Sequence, residues 1–141
     1  MGAPRNLDEV GVFLKNMFKD KNIITTKSDF LRSMIAFFIT TTRLKEAKNN
    51  YKKIGSISPL VAKTDELLEV VSKEFPEDVV VNIMRYPQRL SKDVIAVLKE
   101  KEIQEVVLLP LYPHYSTTTV KSSLEDFYES AKELDFNPII K

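Results

Sequence analysis

Four consecutive apolar residues, Val106-Val107-Leu108-Leu109, constrain this chain's fold more than any other feature. A short run with no polar residue reads as a strand buried on both faces, the situation of a parallel sheet. The surroundings supply what such a sheet needs. Leu7, Val10, Phe13, Leu14, Met17 and Phe18 recur at three- and four-residue spacing and predict an amphipathic helix from Leu7 to Lys19. Ser28 and Asp29 open a long helix from Asp29 to Lys53, with a break expected at Thr40-Thr41-Thr42, where three β-branched residues meet. Gly55 ends it. Ser58 caps and Pro59 starts a helix that Pro76 ends. Val79 to Met84 reads as a strand from its β-branched content. Ser91 starts another helix, and Val120, Leu124, Phe127, Ala131 and Leu134 mark the last. Ile139-Ile140 begins a further strand.

Helices alternating with strands define an α/β fold, a three-layer sandwich around a parallel sheet. Ligands of such folds bind beyond the carboxyl ends of the strands. Two loops fall there, Arg85 to Leu90 and Pro110 to Thr119. The first turn, Met1-Gly2-Ala3-Pro4, has no strand feeding it, and the last strand has no helix after it. The expectation is therefore a fragment whose first strand is missing.

The chain of 141 residues suits one compact domain. It has no cysteine, which excludes disulfides, thiolate zinc sites, iron–sulfur clusters and cysteine nucleophiles and fits the cytoplasm. A net charge of +1 gives no pull toward nucleic acid. Three glycines leave no phosphate-binding loop, and one histidine leaves no His-based metal triad. Met34 to Ile39, the densest apolar run, is far short of the ~20 residues that span a bilayer.

Three stretches are candidates for function. Pro110 to Thr119 holds two tyrosines, the single histidine His114 and four hydroxyl residues directly after a strand. It reads as a ligand loop with flat aromatic faces and a base or metal ligand, or as a capped strand–helix turn. Arg43, Lys45, Lys48, Lys52 and Lys53 are opposed in their stretch only by Glu46. They form either a solvated helix face or an anion contact, since Arg grips a carboxylate with two hydrogen bonds. Phe30, Leu31, Met34, Ile35, Phe37, Phe38 and Ile39 cover more than one helical face. The segment 28–42 is read as an exposed apolar lip rather than a buried helix, because Phe37-Phe38-Ile39 leaves that turn no polar side.

Several of these residues resemble ferrochelatases in order and spacing. Met1-Gly2-Ala3-Pro4 is similar to the end of that family's opening strand and turn, and Asp8 to Phe18 to the helix after it. Asn50-Tyr51-Lys52-Lys53-Ile54-Gly55-Ser56-Ile57-Ser58-Pro59-Leu60 resembles Tyr-x-x-Ile-Gly-Gly-x-Ser-Pro-Leu. Met84-Arg85-Tyr86 resembles an Arg-Tyr strand end. Pro110 to Ser123 resembles Leu-Tyr-Pro-(His/Gln)-Tyr-Ser-x-x-Thr-x-x-Ser-Ser. The resemblance covers essentially the whole chain.

The resemblance implies a class II chelatase-like fold, with this chain as the N-terminal of two similar domains. It implies insertion of ferrous iron into protoporphyrin IX in haem biosynthesis, with iron as substrate and no cofactor. Met1 would lie against the porphyrin plane. Arg43 and Ser58 would bind propionates, with Tyr51 beside them. Arg85 and Tyr86 would sit on the side where the metal arrives, and Tyr112 and Ser116 would line the cleft. The lip would rest on a membrane, which makes the protein cytoplasmic and peripheral to the inner membrane.

Two departures bear on this. Ser56 replaces the second Gly of the Gly-Gly pair. Thr117 stands where some relatives have a cluster-ligating Cys, so no iron–sulfur cluster is expected. The family's catalytic His and Glu belong to the second domain, so this chain supplies half a cleft, with His114 as an accessory metal contact. Two other readings stand beside this one. The chain could be a single-domain chelatase that dimerises and takes another metal, or a non-catalytic porphyrin- or membrane-binding module.

Overall fold

The computed structural model describes residues 1–86 and 90–141. They fall into two compact units, one of residues 2–82 and one of residues 83–141 with Met1. The expected ligand loop from Arg85 to Leu90 includes 87–89, which lie outside the described residues.

The first unit is helical. Helix α1, Glu9–Lys19, is initiated by Asn6, whose Oδ1 accepts the backbone N–H groups of Asp8 (2.9 Å) and Glu9 (3.0 Å). Helix α2, Asp29–Lys53, is capped by Ser28, whose Oγ accepts the Leu31 N–H at 3.3 Å. Val10 and Leu14 of α1 and Ala36 of α2 are buried. The expected break at residues 40–42 does not occur. Thr41 and Thr42 donate their hydroxyls to the Phe37 and Phe38 carbonyls one turn earlier, at 2.9 and 3.0 Å, so both side chains are accommodated inside the helix. Ala36 is the one residue of α2 that is buried. Phe37 and Phe38 are each 69% exposed, and Phe30, Leu31 and Met34 are exposed as well.

The end of α2 is a Schellman-type turn. Gly55 donates to the Lys52 carbonyl (3.2 Å) and Ser56 to the Tyr51 carbonyl (2.8 Å). Gly55 has φ 91° and Ser56 has φ 67°. Serine in that left-handed region carries strain that glycine does not. Ser56→Gly is therefore expected to stabilise the chain by about 1 kcal/mol, read as a raised melting temperature. A lowered one would mean that the serine side chain outweighs its backbone strain. Helix α3, Pro59–Glu74, follows with Ser58 as cap, accepting from the Leu60 N–H at 3.3 Å.

The second unit is a small α/β unit. Strand β1 (Glu105–Val106) pairs in parallel with β2 (Ile139–Ile140). The ladder continues through Ile139 N–H to Gln104 O (2.8 Å), Lys141 N–H to Val106 O and Leu108 N–H to Lys141 O (both 3.0 Å). The connection between the strands is a loop, a π-helical turn (Thr117–Lys121) and helix α5 (Ser122–Glu133). Helix α4, Ser91–Glu100, precedes β1. Ile95 and Leu98 of α4, Phe127 and Ala131 of α5, and Phe136 form the buried core, and Val106, Leu108 and Ile140 pack against it.

Two strand expectations need correction. The run Val106 to Leu109 is not buried on both faces. Val106 and Leu108 point into the helices, whereas Val107 and Leu109 are 68% and 76% exposed. The pleat sends alternate residues to opposite sides, and α4 and α5 cover only one of them. Nor is Val79 to Met84 a strand. Its residues enter no ladder among the described residues, and β-branched content cannot make a strand without a partner to bond. The described residues thus show mixed helix with a small parallel sheet, an α/β arrangement.

Candidate porphyrin-facing site

The site lies where β1 runs out into the Pro110–Ser116 loop, beside the chain that passes through Arg85 and Tyr86. The Tyr112 hydroxyl is the hinge of the first cluster. It accepts from the Met1 backbone nitrogen at 2.5 Å and is 2.8 Å from the Ser123 Oγ at the start of α5. The Met1 carbonyl in turn accepts the Tyr86 N–H at 3.2 Å. Burial, helped by the positive charge of Arg85, lowers the Met1 amine from 8.0 to about 6.

A second cluster surrounds Arg85. Its Nε donates to Ser122 Oγ (3.1 Å) and its Nη1 to Asp126 Oδ1 (2.9 Å). The other oxygen of Asp126 accepts the Ser91 hydroxyl at 2.6 Å. The guanidinium lies over the Tyr86 ring, 5.3 Å from its centroid, a cation–π contact. Tyr86 is only 1% exposed. The buried ring lies beneath the guanidinium.

Ser116, also expected in the cleft, caps the π-helical turn. Its Oγ accepts the Thr118 N–H (3.2 Å) and is 2.9 Å from the Thr118 hydroxyl. His114 and Tyr115 are exposed on the same loop. Met1, Arg85, Tyr86, Tyr112, His114 and Ser116 thus belong to one unit, and the structure joins Met1 to Tyr112 and Arg85 to Tyr86. Arg43, Tyr51 and Ser58 belong to the unit of residues 2–82. There Arg43 is exposed, Ser58 caps α3, and Tyr51 is partly buried, which raises its pKa. The described residues include no cluster of three His, Asp or Glu side chains that could hold a metal ion.

Sequence reasoning missed Ser91, Ser122, Ser123 and Asp126. Ser91 starts α4 as expected: it is the first helical residue, after Leu90, and its buried side chain turns to Asp126. The available signal was helical spacing: Ser122 and Asp126 are four residues apart and share one face of α5.

With this geometry in place, the comparison with known proteins is decisive. The ferrochelatase family profile matches residues 1–141. The chain belongs to the ferrochelatase family. A ferrochelatase of a Nitratiruptor species is 50% identical over 137 residues, 97% of this chain and 44% of that protein. One from Sulfurimonas denitrificans is 49% identical over 130 residues, 92% of this chain and 41% of its own length. One from Wolinella succinogenes is 43% identical over 141 residues, all of this chain and 45% of that relative. This ferrochelatase-family chain therefore spans less than half the length of these relatives. No helix among its described residues is long and apolar enough to cross a membrane.

Proposed function

We propose that this chain forms the N-terminal part of the porphyrin cleft in a chelatase that inserts ferrous iron into protoporphyrin IX during haem biosynthesis. The observation that carries the reading is the family match over the entire chain. The complete cleft belongs to a two-domain protein in which this chain is one three-layer sandwich and the second domain brings the catalytic His and Glu. Iron is the metal substrate, and no cofactor or iron–sulfur cluster takes part.

Each residue then has a task. Tyr112, with its hydroxyl tied to Met1 and Ser123, presents its ring to the macrocycle, and Met1 packs beside it. Arg43, Ser58 and Tyr51 receive the propionates, and Arg85 lies on the side where the metal arrives. Ser116 holds the loop that carries Tyr112. Insertion needs a ring bent out of plane, so that the pyrrole lone pairs point at the metal, and a base for the two pyrrole protons. A neutral His is the natural base near neutral pH. His114 is the single histidine here, and as an exposed side chain it serves as an accessory contact for the arriving metal. The exposed Phe30, Leu31, Met34, Phe37 and Phe38, with the partly buried Ile35, rest on a membrane surface and place the protein at the cytoplasmic side of the inner membrane.

Titrating protoporphyrin IX into the 141-residue chain tests the reading. A saturable shift of the Soret band in the micromolar range is expected, and Tyr112→Ala should weaken it. A wild-type chain with no saturable change would overturn the proposal.

A further inference from the structure

We propose that α2 docks along one continuous face on a bilayer carrying acidic headgroups, with the aromatic residues of its first half among the lipid tails and Lys45, Lys48 and Lys52 of its second half on the headgroup charge. This rests on the membrane reading above and adds to it the lipid chemistry and the residues that select it. Phe30, Met34, Phe37, Thr41, Lys45, Lys48 and Lys52 succeed one another at steps of four, three, four, four, three and four residues. Residues three and four apart are neighbours on a helix surface, so these form a single line along nearly the whole of α2. The line lies on the outside. Phe30, Met34, Phe37, Thr41, Lys45 and Lys52 are exposed. Lys48 is partly covered, its Nζ 3.9 Å from Asp8 Oδ1. Ala36, the buried residue of α2, is off the line, two residues from Met34 and from Phe38.

The line changes character at Thr41. Before it every member is apolar, flanked by the exposed Leu31 and Phe38; after it every member is lysine. A helix that docks in a protein groove keeps its apolar stripe along its length. A soluble polyanion has no use for exposed aromatic rings. A bilayer surface offers both surroundings side by side. Met34 and Lys48, at the centres of the two halves, are about 21 Å apart along the axis at about 1.5 Å per residue. A tilted helix therefore sinks its first half into the boundary of the acyl chains and holds its second half at the headgroups. The lysine stems lie along apolar surface there while their ammonium groups reach the phosphates. Glu46 is the sole acidic residue between Phe30 and Lys53, and it is off the line.

Co-sedimentation of the full 141-residue chain with two kinds of vesicle is the test: pure phosphatidylcholine, and phosphatidylcholine mixed with phosphatidylglycerol. The wild type should bind the acidic vesicles at least about 20-fold more tightly, since each lysine near an anionic surface contributes about fivefold. Lys45→Gln with Lys48→Gln and Lys52→Gln should reduce binding to the neutral-vesicle level, and Arg at the same three positions should keep the preference. Lys73→Gln with Lys101→Gln and Lys132→Gln removes as much charge from exposed positions on other elements and should leave the preference intact. An equal loss from that control, or wild-type binding alike to both vesicles, overturns the proposal. So does acidic-vesicle binding that survives Phe37→Ser with Phe38→Ser, which would mark the lysines as a site for a soluble polyanion. The two readings fail separately. Equal binding to both vesicles that is lost with the phenylalanine pair removes the acidic-lipid preference and leaves the membrane contact standing, whereas no binding to either removes both.

Discussion

Replacing Phe127 with Ala is expected to lower the unfolding free energy by about 3–5 kcal/mol, the range for deleting a buried aromatic ring. Phe127 is 2% exposed at the centre of the α4–α5 core and meets Tyr128 edge-to-face at 6.0 Å. It has no room to be replaced by rearrangement of one neighbour, because Ile95, Leu98 and Phe136 surround the same space. The contrast is with α2. Phe37→Ser with Phe38→Ser should change stability by about 0.5 kcal/mol or less, as surface changes do. The same pair should sharply reduce co-sedimentation with anionic lipid vesicles. Denaturant titrations of the two variants check both halves. A large loss of stability from the α2 pair would mean that those rings are core and not a lip.

The second large effect concerns turnover. The 141-residue chain, given ferrous iron and protoporphyrin IX under anaerobic conditions, should form haem at least about 10²-fold more slowly than a ferrochelatase of full family length, the scale on which a positioned acid–base group contributes. The cause is the lack of a paired base. His114 is exposed on the Pro110–Ser116 loop, and no Asp or Glu lies between Tyr112 and Ser123 to orient it. Porphyrin binding should survive, because Tyr112, Met1 and Arg85 are already assembled. Haem formation at the full-length rate would show that the chain completes its own site, and a rate rising with the square of protein concentration would point to a dimer.

Much of the helical content was legible because its signals are local. Ser28, Ser58-Pro59 and Gly55 mark helix ends by side-chain caps and backbone freedom, and the structure puts the ends of α2 and α3 close to those marks. The strands were harder, since a strand's state is decided by distant partners. Val79 to Met84 and Val107 to Leu109 carry the right residues, yet bonding and burial depend on what lies alongside. The site was legible in part for the same reason. Tyr112, Arg85 and Met1 stand out through the loop position and the family resemblance. Asp126 does not, because nothing local distinguishes it from any solvated helical carboxylate until Arg85, forty-one residues earlier, is brought to it.

The π-helical turn at Thr117–Lys121 carries a consequence for how this family can change in length. Such a turn holds one residue more than the α-helix would in the same advance. A single deletion there would let the turn relax to regular helix over the same advance, leaving Tyr112 beside Ser123 and Arg85 beside Ser122 and Asp126. A deletion inside the regular turns of α5 would instead rotate everything before it by about 100° and part Ser122 from Asp126 on their shared face. The π-helical turn is therefore the place in this helix where a residue can be lost with least disturbance to the site.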